Sequence, residues 1–241
     1  MSGIRSDSDE VVADPLDQMP EPAIDLATGR LIDLTLRDFA DQVGEPFPRA
    51  GGGSVAAYAG SMAAALLGMV CRLTVAKMGG TVAEEELRST CATAETLRAR
   101  LLAAVDADTD AYLEVADAYH LPKDTSEENV ARDAAMAAAR RRAADVPLAA
   151  AEACLEVLEL TRGLSAGFNT AAASELAVAV HAAMTGVRGG AVDVAINLKY
   201  LDEDSAVREI RRRTAEIEER ADEAFAAAWP VLRDLAAGTA G

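Results

Sequence analysis

The chain has few of the residues that disulfide frameworks and zinc sites require. Its 241 residues include three cysteines and two histidines. Cys71, Cys91 and Cys154 are odd in number and widely spaced, which excludes a disulfide framework and favours a reducing, cytoplasmic environment. No His-x-x-x-His, His-Glu-x-x-His or Cys-x-x-Cys spacing occurs, so we expect no zinc site and no metal cofactor.

Aromatic residues and strand-forming segments are also scarce. Apolar residues make up 51% of the chain although aromatic residues make up only 4%. Alanine supplies much of the apolar content. Alanine is the best helix former, and no hairpin dipeptide separates alternating segments. The composition predicts an all-α fold, in which a single helical-bundle domain with long helices surrounds a buried, Ala-rich central helix.

Acidic residues outnumber basic ones, 40 to 23. The formal net charge is −17, and lysine occurs only at Lys77, Lys123 and Lys199. Nucleic acids and anionic membranes require basic patches, so we expect neither as a partner. No secretory signal is recognisable. Residues 1–30, which are acidic and contain three prolines, are predicted to form a disordered tail before a helical domain at residues 31–238.

The clearest local feature is the run Gly51-Gly52-Gly53-Ser54, which precedes a long apolar helix predicted over residues 54–78. Its most apolar segment, Val55–Val70, is short for a membrane span, so a buried core helix is expected. Glycines let a ligand approach the backbone closely, Ser54 is a candidate N-cap, and a helix N-terminus favours an anion. The run is therefore a candidate ligand loop, although a tight turn between two helices would produce the same pattern.

Two groups of polar residues lie beside apolar helical segments. Lys77 ends the long apolar helix, where it is either a desolvated proton carrier or an exposed cation interacting with the helix C-terminus. Asn169, Ser174 and Glu175 lie in the first turns of a helix predicted over residues 169–187. Glu175 is either a structural acid whose hydrogen bonds are satisfied or a general acid/base.

A third polar group lies further along the chain. Asp193 and Asn197 are four residues apart and share one face of a short buried segment, which is predicted to follow a break at Gly189-Gly190. Polar groups on such a face need partners or a ligand. By contrast, three spaced aspartates and two arginine triplets are predicted to be solvated faces of helices. These are Asp106, Asp108 and Asp110, Arg140 to Arg142, and Arg211 to Arg213.

The remaining helix boundaries follow from caps and prolines. A helix is predicted over residues 82–120, and Thr125 and Glu128 form a capping box for the next one. Pro147 either starts a further helix or kinks a continuous one that ends near Gly163. The last helix is predicted over residues 205–235.

Taken in order, these segments resemble the cyclodeaminase/cyclohydrolase family of folate one-carbon enzymes. The resemblance covers residues 31–235. It rests on the loop Pro48 to Ala57, Lys77, Leu121-Pro122-Lys123, Val146-Pro147-Leu148, Asn169, Ser174-Glu175-Leu176 and Ile196-Asn197-Leu198.

The resemblance implies an all-helical homodimer with a folate site near the glycine loop and the dimer interface. The implied reactions are hydrolysis of 5,10-methenyltetrahydrofolate to 10-formyltetrahydrofolate, or its formation from 5-formiminotetrahydrofolate with loss of ammonia. Neither needs a cofactor beyond the tetrahydrofolate substrate. The catalytic residues implied are Lys77 and Glu175. The substrate-binding residues implied are Gly51, Gly52, Gly53, Ser54, Asn169, Ser174, Asp193 and Asn197.

Three positions depart from the family's pattern. Glu175 stands where the family usually has aspartate, Asp193 where it has asparagine, and Ala50 where it has proline. A carboxylate at 193 adds a charge and removes two hydrogen-bond donors. The alternative hypothesis is therefore a repurposed or non-catalytic member that binds a folate or acts on another amidine-like or pterin-like substrate.

Overall fold

The computed structural model describes residues 29–46, 49–77, 82–164 and 167–238. These residues form helices and connecting turns with no strand among them, which confirms the all-α expectation. The tail predicted over residues 1–30 lies almost wholly outside the described residues. Within them the α-helices are α1 Leu36–Val43, α2 Gly52–Val75, α3 Val82–Tyr119, α4 Ser126–Leu164, α5 Ala173–Leu198 and α6 Ser205–Ala236.

Helix α2 is the centre of the fold, and it contacts α3, α4 and α5. Small residues allow that close approach. A Cβ added to Gly60 of α2 or to Gly186 of α5 would lie less than 3.0 Å from the Sγ of Cys154 in α4. The buried thiol therefore fills the space that the two glycines leave, and the three helices meet around it.

Helices α2 and α5 run in opposite directions. The start of α2 meets the end of α5, where Gly52 lies beside Asp193. The end of α2 meets the start of α5, where Asn169 contacts Thr74 and Lys77. At 1.5 Å per residue the 24 residues of α2 separate these two ends by roughly 36 Å. Both helices are long and apolar enough to cross a membrane, but they form the core of this bundle.

Several boundaries differ from the sequence expectations. The expected break at Gly189-Gly190 is wrong, because α5 continues to Leu198. A Cβ on Gly190 would lie 2.9 Å from the carbonyl oxygen of Pro147, so this glycine permits helix packing rather than a turn. Pro147 lies inside one continuous α4, as one of its two alternatives predicted. Ser54 is not the N-cap of α2, since Gly51 holds that position.

Other local predictions are confirmed. The Thr125 hydroxyl accepts a hydrogen bond from the Glu128 N–H at 3.2 Å, and a Glu128 carboxylate oxygen accepts one from the Thr125 N–H at 2.9 Å. This reciprocal pair is the capping box that starts α4. The predicted final helix agrees with α6 to about one residue.

Candidate active site

A cavity of about 400 Å³ opens at the end of the bundle where α2 begins. That volume lies within the range of small-molecule sites in proteins. Its walls come from the glycine loop, α3, α4 and the end of α5. The lining residues are Arg49, Gly51, Gly52, Gly53, Asp108, Ala111, Tyr112, Val115, Arg140, Ala143, Asp193, Ile196, Asn197 and Tyr200.

Two carboxylates meet at Gly53 in the floor of this cavity. A Cβ built on Gly53 would lie less than 3.0 Å from Oδ1 of Asp108 and 2.8 Å from Oδ2 of Asp193. Neither approach is compatible with a side chain at this position, so Gly53 is required for the carboxylates to come so close to the backbone. At Gly52 the nearest atom to an added Cβ is Oδ1 of Asp193, at 3.8 Å, which is an ordinary contact.

The expectation that Asp106, Asp108 and Asp110 form a solvated face is wrong for two of them. The Ser54 hydroxyl donates to Oδ2 of Asp108 at 2.8 Å and also contacts the Val105 carbonyl oxygen at 3.1 Å. Asp106 accepts hydrogen bonds from Arg30 and from the Leu31 N–H. Asp110 is exposed, as expected. The three aspartates point in different directions, and Asp108 is the one that faces the cavity.

The Asp193 carboxyl is poorly hydrated and lies near another acid. Its Oδ2 is enclosed and has no hydrogen-bond partner among the described residues. Burial, with the neighbouring Asp108 carboxylate as the smaller cause, raises the pKa of Asp193 to about 6. The start of α2 therefore faces two acids of its own chain. This corrects the hypothesis of an anion cradle, because the arrangement suits a cationic group better than an anionic one.

Asn197, in the wall of the cavity, links α5 to α4. Pro147 has no N–H, so the carbonyl oxygen of Ala143, one helical turn earlier, lacks its usual helical donor. The Asn197 amide donates to that oxygen at 3.0 Å, and to the Asp193 carbonyl oxygen at the same distance. Asp193 and Asn197 share a face of α5, as predicted. The Asn197 amide nitrogen, however, donates to two backbone carbonyl oxygens.

Arg140 departs from the prediction for its triplet. Its guanidinium lies 4.4 Å from the centre of the Tyr200 ring and contacts the Tyr200 carbonyl oxygen at 3.3 Å, at the wall of the cavity. Arg141 and Arg142 pair with surface acids, as do all three arginines of the second triplet. Sequence reasoning treated the first triplet as one surface and missed Arg140, although adjacent residues on a helix point about 100° apart.

The other predicted site residues lie at the opposite end of α2. The Lys77 ammonium donates to the Asn169 side-chain oxygen at 2.7 Å, and the Asn169 N–H donates to the Thr74 hydroxyl at 3.1 Å. Ser174 donates to Glu175 at 2.7 Å, and this hydrogen bond is the main cause that lowers the pKa of Glu175. Lys77 is exposed, so the fold of the single chain does not remove it from solvent.

The structure therefore brings the predicted residues together in two groups. Gly51 to Ser54, Asp193 and Asn197 meet at one end, while Lys77, Asn169, Ser174 and Glu175 meet at the other. Among the described residues no group of three or more histidine, cysteine, aspartate or glutamate side chains is placed to hold a metal ion.

Exposed apolar side chains occur along α2 and α5 between the two ends. Large apolar side chains project from both helices, and Val178 and Val192 are 57% and 58% exposed. Both helices contribute three such residues, namely Val55, Met62 and Leu73 on α2 and Val178, Val192 and Ile196 on α5. We refer to these six residues as the apolar face.

Comparisons with known proteins identify similar chains. A family model described as formiminotransferase-cyclodeaminase matches residues 35–216. A methenyltetrahydrofolate cyclohydrolase of Methylorubrum extorquens is 38% identical over 76% of this chain and 87% of its own length. A formimidoyltransferase-cyclodeaminase of Sus scrofa is 35% identical over 78% of this chain, which spans 35% of that relative. The crystal structure of formiminotetrahydrofolate cyclodeaminase from Thermotoga maritima matches with a TM-score of 0.69 at 26% identity, over 85% of this chain and 96% of that one.

Proposed function

The chain belongs to the formiminotransferase-cyclodeaminase family, and we propose that it hydrolyses 5,10-methenyltetrahydrofolate to 10-formyltetrahydrofolate in a reversible reaction. The relative named as a cyclohydrolase supports this reaction, because this chain spans 87% of its length. Loss of ammonia from 5-formiminotetrahydrofolate is the second candidate, which the cyclodeaminase structure favours. The proposed chemistry uses no metal and no cofactor beyond the folate.

The observation that carries this proposal is the carboxylate pair at Gly53. The methenyl bridge is an amidinium, whose positive charge is shared between N5 and N10, and a formimino group is a similar cation when protonated. Asp108 and Asp193 offer that cation a site enclosed by the cavity walls. Electrostatic attraction is stronger there than in open water, because the local dielectric is lower.

The cationic residues of the cavity suit the other end of the substrate. A folate carries its glutamate carboxylates far from the pterin ring. Arg140 and Arg49 line the same cavity as the carboxylate pair, and we propose that they face the glutamate tail. The stacked Arg140–Tyr200 pair presents both a planar donor and an aromatic surface.

Lys77 and Glu175 belong to the same mechanism only if a second chain supplies them. Roughly 36 Å separates the ends of α2, so one bound one-carbon bridge cannot contact both groups within a protomer. We propose a two-fold homodimer in which the apolar faces pack together with their α2 helices antiparallel. That symmetry would place the end of one α2 beside the start of the other.

In such a dimer each cavity would be completed by Lys77, Asn169 and Glu175 of the partner subunit. Lys77 would be covered on association and held in place by Asn169, as it already is in the protomer. Lys77 and Glu175 would then move protons at the leaving nitrogen. The exposed apolar side chains of α2 and α5 support this arrangement, because exposed apolar surface is typical of association sites.

The decisive assay is the absorbance of 5,10-methenyltetrahydrofolate during incubation with the purified protein. We expect catalysed hydrolysis above the spontaneous rate. If 5-formiminotetrahydrofolate alone is converted, the second candidate replaces the first. Folate binding without turnover of either compound would instead indicate a non-catalytic binding module.

Subunit complementation tests the shared site. Gly52→Phe should block the cavity, since a Cβ at Gly52 is tolerated and lies nearest to Asp193. Lys77→Ala should remove the proton-transferring group that the end of α2 contributes to the proposed shared site. A one-to-one mixture of the two inactive variants, unfolded and refolded together, should recover about a quarter of wild-type activity, because half of the dimers then contain one intact site. If the mixture is no more active than either variant alone, each site lies within one chain.

A further inference from the structure

The two carboxylates at Gly53 are close enough to interact directly. Both lie less than 3.0 Å from the same Cβ position, so Oδ1 of Asp108 and Oδ2 of Asp193 are separated by less than twice that distance. Two acids at such a separation in an enclosed site resist simultaneous ionisation, and one of them retains a proton to higher pH than it would alone.

The surroundings of the two acids are unequal. Asp108 accepts hydrogen bonds from the hydroxyl and the N–H of Ser54, which hold it beside the N-terminus of α2. Burial raises the pKa of Asp108, while these donors and the helix dipole act in the opposite direction and favour its ionised form. Asp193 has no comparable donor, and its Oδ2 is enclosed without a partner. The proton of the pair therefore resides mainly on Asp193.

We propose that Asp193 is the base that takes the proton of the attacking water, and that Asp108 is the residue that positions and tunes it. This inference rests on the proposed hydrolysis. Asp193 lines the cavity, so its carboxyl group is placed to contact a water molecule beside the bound substrate.

The proposed step balances as follows. The water oxygen bonds to the bridge carbon, the electron pair of the C=N bond moves onto nitrogen, and one water proton passes to Asp193. The bond between the bridge carbon and N5 then breaks with its electrons on N5. As the carbonyl forms, the hydroxyl proton is lost and N5 takes up one proton. One water proton thus ends on N5 and the other reaches solvent from Asp193, which matches the net release of one proton.

The cationic substrate favours the required form of the base. Asp193 must be ionised to accept a proton, and an amidinium bound beside it lowers the cost of that charge. The other charged and titratable groups around Asp193 come from every neighbouring element. They are Arg49 in the loop, Asp108 and Tyr112 on α3, Arg140 on α4, Tyr200 after α5, and Arg188 and His181 across the adjoining cleft. Arg188 is already paired with Glu218 and Asp222.

The first experiment needs no turnover. The infrared C=O band of a protonated carboxylic acid is followed from pH 4 to pH 8 in the wild-type protein, in Asp193→Asn and in Asp110→Asn, an exposed control on α3. We expect a component that titrates near pH 6 in the wild type and the control, and is missing from Asp193→Asn. Its presence in all three proteins would overturn the assignment of the proton to Asp193.

The second experiment measures kcat/KM for methenyltetrahydrofolate hydrolysis over pH 5 to 8. The ratio of wild-type to Asp193→Asn rates removes the pH dependence of the substrate itself. A general base contributes about 10²- to 10⁴-fold, so the ratio should be at least about 100 at pH 7.5. It should fall about tenfold between pH 7 and pH 5 as Asp193 becomes protonated. A ratio that is near one, or that does not change with pH, would overturn the proposal.

The Asp108→Asn variant tests whether Asp108 changes the pKa of Asp193 or only supports the start of α2. Without the neighbouring charge, the midpoint of the acid limb should move to lower pH, although burial, the larger cause, keeps it above the ordinary range of aspartate. A lower rate with an unmoved midpoint would show that Asp108 only supports the helix. If wild-type protein hydrolyses no folate, the proposed function and the role as base fail together. The infrared titration would still decide whether Asp193 holds the proton.

Discussion

The two ends of the α2–α5 pair carry polar groups in opposite ways. At the start of α2 two acids are enclosed in a cavity, and one carboxylate oxygen has no partner among the described residues. At the end of α2 the polar groups are more open to solvent and satisfy one another, with Lys77 bound to Asn169 and Ser174 bound to Glu175. One end is arranged to receive a ligand, and the other presents side chains that are already oriented.

This difference explains why the family resemblance assigns one function to residues so far apart. A single chain carries both groups of residues, and the roughly 36 Å length of α2 keeps them from contacting one bound one-carbon bridge. The proposed antiparallel dimer would join them, and the apolar side chains that α2 and α5 expose between the ends are the surface it would bury. The following predictions test whether the two ends act together or separately.

The largest loss of activity is expected at the end of α2, where Lys77 lies. Lys77→Ala should lower kcat by about 10²- to 10⁴-fold, the usual contribution of a proton-transferring group. The matched control is Lys123→Ala, because Lys123 is also an exposed lysine and lies in the turn between α3 and α4. Steady-state kinetics of methenyltetrahydrofolate hydrolysis measures both variants. An unchanged kcat in Lys77→Ala would remove the open end from the mechanism.

A loss of about 100-fold is expected from one methyl group at the enclosed end. Gly53→Ala would place a Cβ against both carboxylates and displace them by about 1 Å, an error that costs about 100-fold in rate. Gly52→Ala should stay within about twofold of wild type, because its Cβ fits at an ordinary contact distance. Equal activities in the two alanine variants would mean that the carboxylate geometry does not matter.

Separation of the subunits should cost at least about tenfold in activity. Val178→Asp places a charge on the exposed surface of α5, where the apolar face would be buried in the dimer. We expect a monomer in light scattering and a parallel loss of turnover at low protein concentration. Val130→Asp on α4 is the control, since Val130 is 71% exposed but lies outside the apolar face. Full activity in a variant shown to be a monomer would mean that the two ends of α2 do not act together in a shared site.

Much of the fold could be predicted because its determinants are local. The capping box at Thr125 and Glu128 and the helix-forming composition depend on neighbours within a few residues. Gly189-Gly190 was misread because a glycine pair looks the same whether it ends a helix or admits a neighbouring one. The deciding fact is the Pro147 carbonyl oxygen beside Gly190, which lies in another helix and leaves no local signal.

The candidate site was predictable in its loop and in the residues of α5, but not as a whole. Asp193 drew attention as an acid on an apolar face, and the structure places it in the cavity. Asp108 was missed because spacing shows that neighbouring aspartates diverge but not which direction is buried. The two-ended arrangement was also missed, since sequence order alone does not reveal that α2 and α5 run antiparallel.

The packing between the ends should affect stability more than chemistry. Gly186→Ala would place a Cβ against the Cys154 thiol and 3.0 Å from the Ala56 carbonyl oxygen. Overpacking of this kind costs about 1–3 kcal/mol, or roughly 2–4 °C in Tm for each kcal/mol. Gly163→Ala, where nothing lies within 4 Å, should instead raise the Tm slightly through helix propensity. Calorimetry of both variants checks this, and a destabilised Gly163→Ala would contradict the packing argument.

The smallest effects should have opposite signs at the two ends. Burial raises the pKa of Asp193 to about 6, so its ionised form weakens the fold at neutral pH. Asp193→Asn should therefore gain about 1 kcal/mol at pH 7.5, a value reduced for the partial exposure of the side chain. The gain should shrink as the pH falls through 6 and vanish near the ordinary pKa of aspartate. The pKa of Glu175 is lowered by Ser174, so its contribution is present at neutral pH and is lost in acid.

Thermal denaturation from pH 4 to pH 7.5 distinguishes these two behaviours. Asp193→Asn should have a higher Tm than wild type at pH 7.5 and the same Tm near pH 4, while Glu175→Gln should have a slightly lower Tm at pH 7.5 that approaches wild type in acid. Because Asp193→Asn is also expected to lose activity, its gain in stability would mean that the enclosed acid is retained at a cost to the fold. A lower Tm for Asp193→Asn at neutral pH would show that the Asp193 carboxylate stabilises the protein, and the contrast between an enclosed end and an open end would then fail.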